Sequence, residues 1–235
     1  EDERLPQEHV KLFHFIREGD VNGIDEMLRT NSQMCINFID DDERTLLHSI
    51  CELQSLPLLK KFLPIAKDKN PIDSMGWTPL LISVASGKSD KLDDESFQIV
   101  KFLLDNGADI SIANKRKQNV FHYACSKGRL DFVEMFMKLW KEGASARDQY
   151  GNTPLHRAVA SGKIECAKYI IGKTHTLLAQ NVMKKTPLHL ACEEQYIEMI
   201  KMLIDHGADA DIKDEDNKFA FEYIQDKSQF KEICE

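Results

Sequence analysis

A short fragment returns along this chain at a nearly constant interval. Gly151-Asn-Thr-Pro-Leu-His156 comes back as Lys185-Thr-Pro-Leu-His189 and, in part, as Gly76-Trp-Thr-Pro-Leu80. With the Thr as marker the positions are Thr45, Thr78, Thr153 and Thr186, and Asn119 and Phe219 hold the same place in weaker copies. The spacings are 33, 41, 34, 33 and 33 residues. Such a period means that one supersecondary unit is stacked repeatedly, each copy burying against its neighbours an apolar face that it cannot bury alone. This overrides the one or two ordinary domains that 235 residues would suggest.

Residues 148–180 show how one copy is built. Asp148-Gln-Tyr-Gly151 reads as a turn at the tip of a projecting hairpin. Thr153 stands where a helix N-cap belongs, and Pro154 follows at the first helical position, where its missing N–H costs nothing. Leu155, Ala158 and Val159 share one face at helical spacing, Ser161-Gly162-Lys163 ends this helix, and Ile164, Ala167, Tyr169, Ile170 and Ile171 carry a second. Gly87, Gly128 and Gly162 fall between the two helices, while Gly107, Gly143 and Gly207 follow the second, where a left-handed C-cap fits. Ala85, Ala124, Ala158 and Ala191 are small residues that let first helices approach one another.

A period near 33 headed by T-P-L-H resembles the ankyrin repeat. The resemblance implies an all-α ankyrin-repeat solenoid of seven helix-turn-helix units with projecting β-hairpin loops, as a single domain over residues 1–235. The repeats run over 6–39, 40–72, 73–113, 114–147, 148–180, 181–213 and 214–235. Leu12-Phe-His-Phe15 and Phe219-Ala-Phe-Glu222 replace the motif in the terminal copies, which must present one face to water. The 41-residue spacing reflects a polar insertion around Ser89–Ser96, expected to be a solvated loop between the helices of the third copy.

Composition narrows the setting. Hydrophobic content of 42% and charged content of 30% suit a folded soluble chain. No apolar run approaches the roughly 20 residues needed to cross a bilayer, and Glu1-Asp2-Glu3-Arg4 has neither the basic nor the apolar segment of a secretory leader. Cys35, Cys51, Cys125, Cys166, Cys192 and Cys234 are scattered singly with no C-x-x-C pair, as in a reducing compartment, and read as small buried apolar residues. The expected location is the cytoplasm, with the nucleus a second.

Catalytic patterns are missing. There is no G-x-x-x-x-G-K-[ST], G-x-G-x-x-G, H-E-x-x-H or G-x-S-x-G. His48, His122, His156 and His189 recur at one repeat position, which reads as a structural array bonding the Thr hydroxyl and nearby backbone. His189 and Cys192, three apart, supply two ligands where a structural zinc needs four. A non-catalytic protein with no cofactor and no metal is the expectation.

Charge is unevenly spread. Residues 111–185 hold fourteen Lys and Arg against five Asp and Glu, although the whole chain has a formal net charge of −8. Acids cluster at Asp40–Glu43, Asp90–Glu95 and Asp209–Asp216. Lys115, Arg116 and Lys117 fall at one predicted tip, Lys184 and Lys185 at another, and Lys127, Arg157 and Lys163 along or after first helices. By analogy with ankyrin stacks, tips and first helices line the concave side, so these cations form a basic stripe suited to an acidic protein surface. The acidic ends and the lack of an aromatic-rich basic ribbon argue against nucleic acid. Trp77, before a cap, is either an interface anchor or a cover for its own neighbours; Tyr150, at a tip, is a further interface candidate and Trp140 a packing residue.

A narrower resemblance rests on Asp42-Glu-Arg-Thr-Leu-Leu-His48, Asp73-Ser-Met-Gly-Trp-Thr-Pro-Leu80, His122-Tyr-Ala-Cys-Ser-Lys127, His156-Arg-Ala158 and Thr186-Pro-Leu-His-Leu-Ala-Cys-Glu-Glu194. Together with size and repeat count these stretches resemble the gankyrin family, ankyrin-repeat assembly chaperones of the 26S proteasome regulatory particle. The resemblance implies binding, as a monomer when free, of the C-terminal domain of a proteasomal ATPase subunit in the concave face. It implies Arg44 and Lys127 as groove cations and Trp77 and Asp42 as neighbouring contacts. The chain departs from the family at Ser49, where a Trp is usual, and at the insertion in the third repeat. Leu190-Ala-Cys-Glu-Glu194 matches L-x-C-x-E, by which gankyrin engages retinoblastoma-type pocket proteins, but helix burial is expected to hide it. The alternative is a generic ankyrin adaptor or inhibitor for another acidic protein, such as a kinase or signalling partner.

Overall fold

The computed structural model describes residues 7–87 and 94–225. Two compact units are present, the first ending at Lys115 and the second beginning at Arg116. Most of the insertion around Ser89–Ser96, part of the acidic run Asp90–Glu95, and Cys234 lie outside the described residues.

The first unit holds α1 (Gln7–Glu18), α2 (Val21–Thr30), α3 (Ser32–Asn37), α4 (Leu46–Glu52), α5 (Leu56–Phe62), α6 (Pro79–Ser86) and α7 (Asp94–Asp105). Helix α4 packs against α5 and α6, and α6 against α7. Helix α3 is a single added turn that the repeat pattern did not foresee. The core is aliphatic, with Leu12, Ile24, Leu46, Ile50, Leu59, Leu80, Val84 and Leu103 at 0–1% exposure.

The second unit holds α8 (Val120–Lys127), α9 (Leu130–Leu139), α10 (Pro154–Ala160), α11 (Ile164–Ile171), α12 (Pro187–Glu193) and α13 (Ile197–Asp205), with 3₁₀ turns at Lys141–Ser145 and Ala220–Tyr223. Helix α10 lies between α8 and α12. Buried Ala124, Ala158 and Ala191 permit this row of first helices. Phe121 meets Phe136 edge-on at 5.8 Å, and Phe132 stacks on Phe136 at 5.8 Å.

The first helices start where the sequence says they should. Thr78 Oγ1 accepts the Leu81 N–H, Asn119 Oδ1 accepts those of Phe121 and His122, and Pro79, Pro154 and Pro187 open their helices. The histidine array is a reciprocal cap. In each copy Nδ1 accepts the backbone N–H of the cap residue: Thr45 at 3.0 Å, and Asn119, Thr153 and Thr186 at 3.2 Å. Nε2 therefore carries the hydrogen, and donates it to the carbonyl just before the next cap: Trp77 at 3.0 Å, Asn152 at 3.1 Å, Lys185 at 3.1 Å and Lys218 at 3.3 Å. Leu81 fills this slot in the third repeat.

Three expectations are corrected. The projecting loops are tight turns rather than strand-bearing hairpins: the described residues contain no strand, and only the bridges Ile39↔Thr45 and Lys213↔Phe219 mark the stems. Gly107 and Gly207 are left-handed, with φ of +94° and +90°, but Gly143 is not. Gly143 is small for another reason: a Cβ there would stand 2.3 Å from the Trp140 ring. Finally, the seventh copy begins with a 3₁₀ turn in place of a first helix.

Candidate protein-binding face

Each tip is organised by an Asp or Asn five residues before the cap. In the first unit Asp40 Oδ1 accepts the N–H groups of Asp42 and Arg44, and Asp73 Oδ1 those of Met75 and Trp77. In the second, Asp148 Oδ1 serves Tyr150 and Asn152, Asn181 Oδ1 serves Lys185, and Asp214 Oδ1 serves Asp216 and Lys218. These Asx turns force one left-handed residue per tip. It is Glu43 or Gly76 in the first unit, and Lys117, Gly151, Lys184 or Asn217 in the second.

Consecutive tips are tied by single backbone bonds in register. Ser74 N–H donates to the Asp42 carbonyl at 2.8 Å, and Lys115 N–H to Met75 at 3.0 Å. In the second unit Gln149 N–H donates to Arg116 at 2.9 Å, Val182 to Tyr150 at 2.9 Å and Glu215 to Met183 at 3.0 Å. The residues three before each cap are thereby set in a row: Asp42 and Met75 in one unit, and Arg116, Tyr150, Met183 and Asp216 in the other.

The first unit places Asp42, Arg44, Trp77 and Lys115 as follows. Asp42 and Lys115 are exposed on their tips. Arg44 is not a free cation: its Nη2 pairs with Glu52 Oε2 at 2.7 Å. Its buried Nε has no hydrogen-bond partner. Trp77 is half-buried and shares a cleft of about 250 Å³ with Arg44, Glu52, Asp73 and Ala85. Ser49, where the gankyrin family has Trp, is buried and lines a second cleft of about 470 Å³ with Phe13, Arg17, Asp42 and Arg44.

In the second unit Arg116 and Tyr150 are exposed, Tyr150 at 54%. Lys127, the last residue of α8, is half-buried and makes no ion pair among the described residues. Arg157 departs from the sequence reading. Its Nε donates to Asp148 Oδ2 at 3.1 Å, and Nη2 reaches the same oxygen. The Asp148 side chain is fully buried, so Arg157 neutralises an internal carboxylate instead of waiting for a partner. Burial alone would raise the Asp148 pKa; the Arg157 bonds and the N–H groups of Asn152 and Tyr150 outweigh it and leave the carboxyl below its ordinary value. Asp214 has a neutral donor in the equivalent place: the Tyr223 hydroxyl donates to its Oδ2 at 2.5 Å. Lys185, also counted in the basic stripe, pairs with Glu193 at 2.8 Å, as Arg44 does with Glu52.

Burial governs the other titratable groups. It pushes His122 and His156 down to about 4 and lowers His48 and His189. It raises the thiols of Cys35 to about 11 and of Cys51, Cys166 and Cys192 to about 12, which makes them poor nucleophiles. In the L-x-C-x-E stretch Cys192 is buried and Leu190 half-buried within α12.

Two features were missed from sequence. Met75, Val182 and Met183 are exposed at the tips, at 48%, 66% and 51%. At the stems, the residue six before the cap differs between units. In the second, Arg147 donates to the Gln180 carbonyl, and Gln180 to that of Lys213 at 3.1 Å. In the first the equivalent residues are Ile39 and Ile72, which have no donor and stand 60% and 57% exposed.

Comparison with known proteins places these features. Ankyrin repeats in three copies match residues 92–180, and a further ankyrin repeat matches residues 183–215. A relative from Schizosaccharomyces pombe, the ankyrin repeat-containing protein C6C3.08, is 34% identical over 211 residues, covering 87% of each chain. The chain belongs to the ankyrin-repeat family. It is 32% identical over 139 residues to the probable 26S proteasome regulatory subunit p28 of Saccharomyces cerevisiae, covering 58% of each chain. It is 26% identical over 209 residues to human transient receptor potential cation channel subfamily A member 1, covering 85% of this chain but 18% of the channel. The ankyrin-repeat fold is matched by the human ASB11 ankyrin repeat domain, with a TM-score of 0.79, 20% identity and coverage of 98% and 97%. Ankyrin-repeat chains are protein-interaction scaffolds, and this one carries the all-helical form.

Proposed function

We propose that this chain is a non-catalytic assembly chaperone of the proteasome regulatory particle, acting in the cytoplasm and nucleus. It binds the C-terminal domain of a proteasomal ATPase subunit through its tips and first helices. The observation that carries the reading is Lys127 at the end of α8: a half-buried cation with no acid partner among the described residues, on a residue that the family resemblance assigns to the partner's carboxylates. The 32% identity to a proteasome subunit supports the choice of partner. Lys117 and Lys184, exposed at tips of the same unit and in no ion pair among the described residues, add positive charge that steers an acidic surface toward it. Arg44 and Arg157 contribute less than their charge suggests, because Glu52 and Asp148 already hold them.

The test is co-purification with the isolated C-terminal domain of each ATPase subunit. One domain is retained, and Lys127→Glu weakens its retention while circular dichroism stays unchanged. Retention of none, or undiminished retention by a folded Lys127→Glu variant, removes the proposal and leaves a generic ankyrin adaptor for another acidic protein.

A further inference from the structure

We infer that the tips of the second unit form a dipolar docking strip, built for an extended partner segment that is acidic at one end, apolar in the middle and basic at the other. This rests on the protein-binding reading above and refines it, since a uniformly acidic partner does not fit the strip.

The backbone bonds from Gln149 to Arg116, Val182 to Tyr150 and Glu215 to Met183 hold four successive tips in register. One end carries Arg116 and the left-handed Lys117. The middle exposes Tyr150, Val182 and Met183, at 54%, 66% and 51%, with Lys184 as the one charge beside Met183. The far end carries Glu215 and Asp216, both exposed and neither in an ion pair among the described residues, followed by the exposed Lys218, whose ammonium lies over the Tyr223 ring. Adjacent exposed apolar side chains of this size mark an interaction surface, and tyrosine and methionine are suited to anchor one. The carboxylates of Glu215 and Asp216 repel an acidic segment and attract a basic one, so charge fixes both the kind of segment and its direction along the tips. The strip crosses three junctions between repeats, which a single side chain cannot span but an extended segment can.

The test uses the full chain with ¹³C-labelled methionine methyl groups, the Met183 signal being assigned through Met183→Leu. Three end-blocked peptides share one leucine- and phenylalanine-rich centre. The first has glutamates at one end and lysines at the other, the second glutamates at both ends, the third lysines at both. The mixed peptide is expected to bind about tenfold tighter than either of the others and to move the Met183 methyl. Arg116→Glu with Lys117→Glu then shifts the preference to the lysine-ended peptide, and Glu215→Lys with Asp216→Lys to the glutamate-ended one. A glutamate-ended peptide that binds the unaltered chain as tightly as the mixed one, or a Met183 methyl that does not respond, overturns the inference. Capture of the ATPase domain is scored separately. Its failure with the peptide preference intact removes the proteasomal reading alone, and its success without any peptide preference removes the strip alone.

Discussion

His156 joins two repeats of the second unit: its Nδ1 accepts the Thr153 N–H at 3.2 Å, and its Nε2 stands 3.1 Å from the Lys185 carbonyl oxygen. His122 does the same between Asn119 and Asn152. The bond that Nδ1 accepts requires a neutral ring, and burial favours that state.

Stability should therefore fall in mildly acidic solution. The unfolded chain protonates its imidazoles near pH 6.5, whereas burial holds His122 and His156 neutral in the fold down to about 4. The lowered folded value means that the stabilisation is complete above 6.5 and is lost as pH falls from 6.5 toward 4, by at most about 1.4 kcal/mol per pH unit for each ring. Urea unfolding followed at a series of pH values checks this. A midpoint that stays flat between pH 7 and 4.5 contradicts it.

Arg157→Ala should destabilise the fold by about 2–3 kcal/mol, because it strands the buried Asp148 carboxylate. The companion loss from Lys127→Glu should be within about 0.5 kcal/mol, since no internal partner is removed. Equal unfolding midpoints for the two variants would count against the division between internal and available cations.

Gly151→Ala and Lys184→Gly occupy the same turn position and should have opposite signs. A Cβ on Gly151 meets the Val182 nitrogen at 2.9 Å with φ at +74°, so the alanine variant loses about 1–2 kcal/mol. Lys184 already bears a side chain at φ +55°, and glycine there relieves the left-handed strain for a gain of about 0.5 kcal/mol. Thermal unfolding of both variants decides the matter.

Gly143→Ala should cost about 1–3 kcal/mol, because the added methyl collides with the Trp140 ring. In a Trp77→Phe background the remaining indole emission should shift to the red as Trp140 is displaced. An unchanged spectrum and midpoint would show that the turn absorbs the methyl.

The architecture was readable because it is written in the period. The Thr markers locate the caps, and the recurring histidines locate the cross-repeat bonds. The left-handed tip residue was not fully readable. Of its six occupants only Gly76 and Gly151 carry the residue that signals it, while Glu43, Lys184 and Asn217 sit in Asx turns of Asp40, Asn181 and Asp214, and Lys117 takes the same conformation. Charge was legible as a sum and not as a surface. Arg157 and Lys185 count toward the basic stripe, and Arg44 toward the groove cations that the resemblance implies, because their acids, eight or nine residues away, come near only when the first helix folds back on its tip. The proposed site keeps Lys117, Lys127 and Lys184, which make no ion pair among the described residues, with an apolar patch that hydropathy averaged over a turn could not show.

The histidine bonds all point the same way along the chain, each ring giving its hydrogen to the repeat that follows. The two edges of such a stack are consequently unlike. Peeling away a copy from the carboxyl side uncovers an imidazole, which meets water and regains an ordinary proton affinity. Peeling one from the amino side bares only a carbonyl oxygen, which has nothing to titrate. Sensitivity to acid is thereby carried on one edge of the array and absent from the other.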